Sequence, residues 1–162
     1  MATTAPTSHF DSSAATSQLL YRSILPKDRL RIQQLHEEFF PVRYSPQFYQ
    51  DVVEEKGIFG GKLFSVIVEN EKEEVIGFVL AQMLSYPSQC DDNDLFDSNS
   101  DVKEVFYILT IGLVPGYRKL GIASQLIRRC IDYAFQFPSC GAVSVSSHLS
   151  FPLTVVDRST ST

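Results

Sequence analysis

The sequence predicts an α/β fold, with helices flanking a mixed, mostly antiparallel sheet in the order β-α-α-β-β-β-α-β. Three observations carry that reading. KLFSVIVE (62–69) and EVIGFVLAQML (74–84) flank the polar turn Asn70–Glu73, which is a hairpin pattern. EVFYILTIGLV (104–114) is long and apolar enough to lie in the middle of a sheet. Behind it Ile122, Leu126, Ile127, Cys130, Ile131, Ala134 and Phe135 recur at helical spacing, giving an amphipathic helix over about 120–136.

The remaining elements follow in order. Residues 1–17 are rich in Ser, Thr and Ala and read as a flexible lead-in. LLYRSIL (19–25) has the composition of a short strand. Pro26 suits a first helical turn, and Leu30, Leu35, Phe39 and Phe40 supply part of an apolar stripe, so 27–39 reads as helical until Pro41 stops it. Ser45-Pro46 repeats the cap-then-proline signal and predicts a second helix over 46–54 that turns Phe48, Tyr49, Val52 and Val53 inward. Residues 85–101 are acidic and polar and read as an exposed loop, and AVSVS (142–146) as a last strand. One domain over 18–146 results, with a divergent tail over 147–162.

Composition narrows the function. The chain has 162 residues, 44% hydrophobic and 20% charged, which suits one globular core. No apolar run is long enough to cross a bilayer, and the amino terminus lacks the apolar stretch of a secretory signal, so the chain reads as cytoplasmic. Cys90, Cys130 and Cys140 form no C-x-x-C pair and read as reduced thiols. They have no zinc spacing, His9 lies in the lead-in and His36 reads as an ordinary helix histidine, so no metal is expected. A formal net charge of −5 argues against a nucleic-acid partner. Arg118, Lys119, Arg128 and Arg129 nevertheless cluster near residue 120, where a local anion site is possible.

That cluster surrounds VPGYRKLGIAS (114–124), a glycine-bearing turn between strand and helix. A helix start leaves backbone N–H groups unpaired and carries partial positive charge, so such a turn lets a phosphate reach bare backbone. Gly121 and Ala123 are small where larger side chains would hold it away, and Arg118 and Lys119 add charge. A plain strand-to-helix turn would use the same glycine.

The pattern Arg118-x-x-Gly121-x-Ala123, with a strand before and a helix after, resembles the acetyl-coenzyme A motif R/Q-x-x-G-x-G/A of the GNAT N-acetyltransferases. With FFPVRYSPQFY (39–49), the stretch YILTIGLVPGYRKLGIAS (107–124) is similar to the N-terminal protein acetyltransferases. It most resembles the Golgi or plasma-membrane-associated branch, also called histone acetyltransferases. The likeness covers roughly residues 19–143 and implies a GNAT (acyl-CoA N-acyltransferase) fold. It also implies acetyl-CoA as co-substrate, and transfer to the α-amine of protein or peptide N-termini that begin with Met, with histone or lysine amines a further option.

The resemblance assigns roles by position. Tyr107 would relay the amine's proton. Ile111, Gly112, Leu113, Arg118, Lys119, Leu120, Gly121, Ile122, Ala123 and Ser124 would hold the cofactor, largely through backbone N–H groups. Phe40, Pro41, Val42, Tyr44 and Leu109 would wall the pocket for the substrate's first residue. Full-length relatives would sit on the cytosolic face of membranes.

The carboxyl end departs from the family. Ser146 stands where relatives carry a second catalytic residue, a histidine, and His148 two positions on is not matched by its neighbours. The similarity then gives way to a Ser/Thr-rich tail, as alternative splicing or a frame change would produce. The domain is therefore expected to be incomplete, exposing apolar sheet or edge surface. An impaired form that binds CoA or a partner without turnover is the alternative to an active enzyme.

Overall fold

The computed structural model describes residues 19–85 and 103–145, together with the backbone of 156 and 157. The chain forms β1 (Leu20–Arg22), a single 3-10 turn (Pro26–Asp28), α1 (Arg29–Phe39), α2 (Pro46–Val53), β2 (Leu63–Glu69) and β3 (Val75–Ser85). It continues through β4 (Glu104–Leu113), a second 3-10 turn (Pro115–Tyr117), α3 (Ile122–Ala134), β5 (Cys140–Val145) and β6 (Val156–Asp157). The six strands lie in sequence order in one sheet. Only the β4/β5 pair is parallel, as the intervening α3 crossover requires.

Helices cover both faces, which is why β3 is buried along nearly its whole length and its sequence does not alternate. On one face Val79, Ala81, Phe106 and Ile108 pack against Ile122, Leu126, Cys130 and Ala134 of α3. On the other, Leu63, Ile67, Phe78 and Leu80 pack against Ile32 and Leu35 of α1 and Tyr49 and Val52 of α2. The hairpin turn closes as expected, with the Asn70 side-chain oxygen accepting from the N–H groups of Lys72 and Glu74, each at 3.0 Å. Arg22 ties β1 to both neighbours by donating to Asp28 at 2.8 Å and also to Glu69.

Several boundaries and faces differ from the sequence reading. β1 is shorter than 19–25, because the chain leaves the sheet to form the Pro26–Asp28 turn. Leu30 points outward, 63% exposed; the α1 face that meets the sheet consists of Ile32, Leu35 and His36. β6 pairs with β5 through Ala142↔Asp157 and Val143↔Val156, so the tail covers part of the edge that was expected to be bare. The 1–17 lead-in, most of the acidic segment, Cys90, His9, Ser146 and His148 lie outside the described residues. Among the described residues no helix is long and apolar enough to cross a membrane, and no cluster of His, Cys, Asp or Glu is placed to hold a metal.

Leu126 is fully buried where α3 meets the sheet. Leu126→Ala is expected to cost about 2–5 kcal/mol through lost transfer energy and a residual cavity, read as a lower urea midpoint.

Candidate active site

The turn after β4 is built from its own backbone. Tyr117 N–H donates to Val114 O at 2.9 Å and Arg118 N–H to Pro115 O at 3.2 Å. Arg118 then folds back: its Nε donates to Leu113 O at 3.0 Å and its guanidinium lies 5.9 Å from the centre of the Phe39 ring. The side chain that the sequence offers as phosphate charge thus also fastens the turn to the strand end. Lys119 has φ +62° and Gly121 φ +79°, which brings the chain into α3 without a side-chain cap. No atom lies within 4 Å of where a Gly121 Cβ would stand.

The side chain of Ile122 is buried in the core under α3, so it can serve a ligand only through its backbone N–H. Ser124 is exposed and Ala123 half-buried, and both first-turn amides face outward from a helix start with no capping side chain. A helix N-terminus without a side-chain cap, beside Lys119 and with open space at the Gly121 Cβ position, fits the diphosphate of coenzyme A. The residues present are therefore compatible with that co-substrate.

β4 supplies the second part of the site. Leu80 pairs with Thr110 but its neighbour Ala81 pairs with Ile108, leaving Leu109 as the extra residue of a β-bulge. The bulge turns Leu109 towards the α1/α2 core while Ile108 stays on the α3 face. The described ladder with β5 ends at Ile108↔Val145, and β4 runs on to Leu113. Gly112 lies against Phe39, whose ring would sit 2.3 Å from an added Cβ.

Tyr107 sits just before the bulge, half-buried, in a row across the sheet. Leu63 pairs with Gln82, Gln82 with Tyr107, and Tyr107 with Ser144, so all four share the α1/α2 face. The hydroxyls of Ser144 and Thr110 are buried on this face with no hydrogen-bond partner.

The third part is the loop between α1 and α2. Pro41, Val42 and Tyr44 are exposed and Phe40 is half-buried. Beneath them lies His36, 1% exposed, with ring centroids 4.8 Å from Phe40 and 5.1 Å from Tyr44. Its Nδ1 is 3.4 Å from the Tyr49 hydroxyl, and its Nε2 is buried without a partner. Burial lowers its pKa to about 4, so the ring is neutral throughout the physiological range. Tyr44 stacks on Phe48 at 4.2 Å, which completes an aromatic base under the loop.

The structure thus places Tyr107, Leu109 and Gly112 on one face of β4 and gathers Leu113–Ser124 at its carboxyl end. The Phe40–Tyr44 loop lies on the α1/α2 side, supported by His36. Sequence reasoning missed the bulge, the support role of His36, and Gln82, a buried polar residue inside an apolar strand. The last had a visible signal, since EVIGFVLAQML carries a single amide among apolar residues.

A six-stranded sheet with one parallel pair, a bulged central strand and an uncapped helix start after it is the architecture of an acyl-CoA N-acyltransferase. The family model "Acetyltransferase (GNAT) family" matches residues 29–150, and the chain belongs to that family. It is 37% identical to the histone acetyltransferase MCC1 of Arabidopsis thaliana over 76% of this chain and 51% of that protein. It is 31% identical to N-alpha-acetyltransferase 60 of Danio rerio over 71% of this chain and 46% of that one. The chain therefore spans about half the length of the curated relatives it matches. The solved structure of Arabidopsis thaliana NAA60 with acetyl-CoA superposes with a TM-score of 0.68 at 32% identity, covering 82% of this chain and 78% of that one. The same enzyme with a bisubstrate analogue gives 0.66 at 34% identity, covering 79% and 74%.

Because the folded pKa of His36 lies below its unfolded value near 6.5, its neutral form stabilises the fold above that value. That stability is lost as pH falls from 6.5 through about 4, by up to about 3 kcal/mol. Urea unfolding at pH 7 and pH 4.5 should show a smaller acid loss for His36→Leu than for the parent chain. Equal losses would mean that the ring is solvated.

Proposed function

We propose that this chain is an acetyl-CoA-dependent N-terminal protein acetyltransferase unit, carried by residues 18–146, acting on the α-amine of Met-starting chains. The observation that carries the reading is the pairing of an uncapped α3 N-terminus with a bulged β4 that presents Tyr107. The names of the relatives, and the acetyl-CoA and bisubstrate analogue bound by NAA60, support the same activity. The cytosol is the proposed setting, in line with the intracellular supply of the co-substrate.

When bound, acetyl-CoA supplies an activated thioester. Its diphosphate would be held by the N–H groups of Ile122, Ala123 and Ser124, with Lys119, Leu120 and Gly121 lining the turn and the exposed part of Arg118 at its rim. The backbone of Ile111, Gly112 and Leu113, beyond the described β5 ladder, would pair with the pantetheine arm. Phe40, Pro41, Val42, Tyr44 and Leu109 would receive the first side chain of the acceptor. An α-amine has a pKa of about 7.7–8.0, so part of it is already neutral and needs only modest help. Tyr107 would relay the proton that nitrogen gives up as the new C–N bond forms and the thioester C–S bond breaks, the departing CoA thiolate taking up a proton to leave as the thiol, while positioning supplies much of the rate.

Incubating the chain with acetyl-CoA and a Met-Leu- or Met-Val-starting peptide should add one acetyl mass to the α-amine. Tyr107→Phe should slow this by about 10²–10⁴-fold with CoA affinity retained. A bulky residue at Gly121 should instead weaken CoA by at least about tenfold, because each charge-assisted hydrogen bond lost is worth about 1.5–3 kcal/mol. No product, with heat stability still rising on adding CoA, would favour a binding protein without turnover.

A further inference from the structure

The loop between α2 and β2 has a construction that the reading above does not use. A bridge between Lys56 and Lys62 closes it, and Gly57 N–H donates to Gly61 O at 3.0 Å. The flanking charges are paired with one another, Lys56 with Glu54 and Lys62 with Glu55. At the tip, Ile58 is 45% and Phe59 56% exposed. This apolar tip is not loose. Gln82, 1% exposed, accepts from Phe59 N–H at 3.4 Å and donates from Nε2 to Gly60 O.

Gln82 is the cross-strand partner of Tyr107, and both side chains lie on the α1/α2 face. Adjacent strands are about 5 Å apart and the Gln82 side chain rises by a similar distance from the face it shares with Tyr107, so the part of the loop it holds lies within about 10 Å of Tyr107. An extended peptide covers about 3.3 Å per residue. A chain whose amine sits at Tyr107 and which runs towards β3 would bring its third or fourth residue to Ile58 and Phe59.

We propose that the Gly57–Gly61 loop is a second wall of the acceptor groove, taking an apolar side chain at the third or fourth position of the substrate. Gln82 is the positioning residue that fixes it. The occupant is the acceptor peptide itself, because the loop is held by Gln82, the β3 residue that pairs directly with Tyr107 of β4. The inference rests on Tyr107 marking the acceptor amine. A held backbone carrying exposed apolar groups lowers the ordering cost of binding, which is what a selective subsite needs.

The test is equilibrium binding of two peptides to the full chain with CoA present, Met-Val-Phe-Leu-Gly-Gly and Met-Val-Gly-Gly-Gly-Gly. The first is expected to bind about 5–20-fold more tightly, as burial of two apolar side chains at a partly open site implies. The Ile58→Ser/Phe59→Ser double variant should bring that ratio close to one. Gln82→Leu, which keeps bulk but neither hydrogen bond, should narrow it in the same direction. Lost packing alone would weaken both peptides without changing their ratio. Equal affinity of the two peptides for the parent chain, or an unchanged ratio in the double variant, would overturn this inference and leave the acceptor site at Tyr107 standing. Binding of neither peptide would overturn both.

Discussion

Helix α3 starts at a glycine in the left-handed region, with no side chain turned back to satisfy its first N–H groups and open space where a Gly121 side chain would stand. Most helix starts are capped by Ser, Thr, Asp or Asn, because uncapped donors cost free energy unless water or a ligand meets them. The arrangement is held from behind. Ile122, Leu126, Cys130 and Ala134 lock α3 to the sheet, and Arg118 bonds the turn to the last carbonyl of β4. A rigid helix with a bare amino end is a fixed electrostatic site, and the rest of the fold serves to aim a strand and a loop at its neighbour.

The bulge at Leu109 does that aiming. By inserting one residue it puts Tyr107, Leu109 and Thr110 towards the α1/α2 face while Ile108 and Ile111 remain opposite Ala81 and Val79. A regular strand would have sent Thr110 and Leu109 to opposite faces. The α1/α2 layer then meets β4 through Phe39 on Gly112 and β3 through the rings of His36 and Phe39 on Phe78. A neutral histidine there keeps the base of the loop apolar while Tyr49 accommodates its Nδ1.

Much of this was legible in the chain itself. The hairpin followed from Asn70–Glu73 between β-rich runs, α2 from Ser45-Pro46, and α3 from a stripe that the structure buries at Ile122, Leu126, Cys130 and Ala134. The Arg118-x-x-Gly121-x-Ala123 turn was legible because its requirement is local: a small residue, a positive φ and a helix behind it. What stayed hidden depends on pairing between distant segments. The bulge exists only relative to β3, so nothing in YILTIGLV marks Leu109 as the extra residue. Leu30 looked like core because helical spacing fixes a face only when the sheet's position is known, and Ile32 and Leu35 define the buried side instead. Gln82 reads as a lone polar residue until the 57–61 loop is placed above it. The pairing of Val156–Asp157 with β5 was likewise invisible in a Ser/Thr-rich tail.

The most direct measurement follows the backbone amide resonances of the chain while coenzyme A is added, with pantetheine, which lacks the diphosphate, as the comparison. Saturable shifts concentrated at Ile122, Ala123 and Ser124 with coenzyme A, and absent there with pantetheine, are the predicted result. Coenzyme A binding that leaves those three amides unmoved, or no binding at millimolar concentration, would contradict a diphosphate seat at the start of α3.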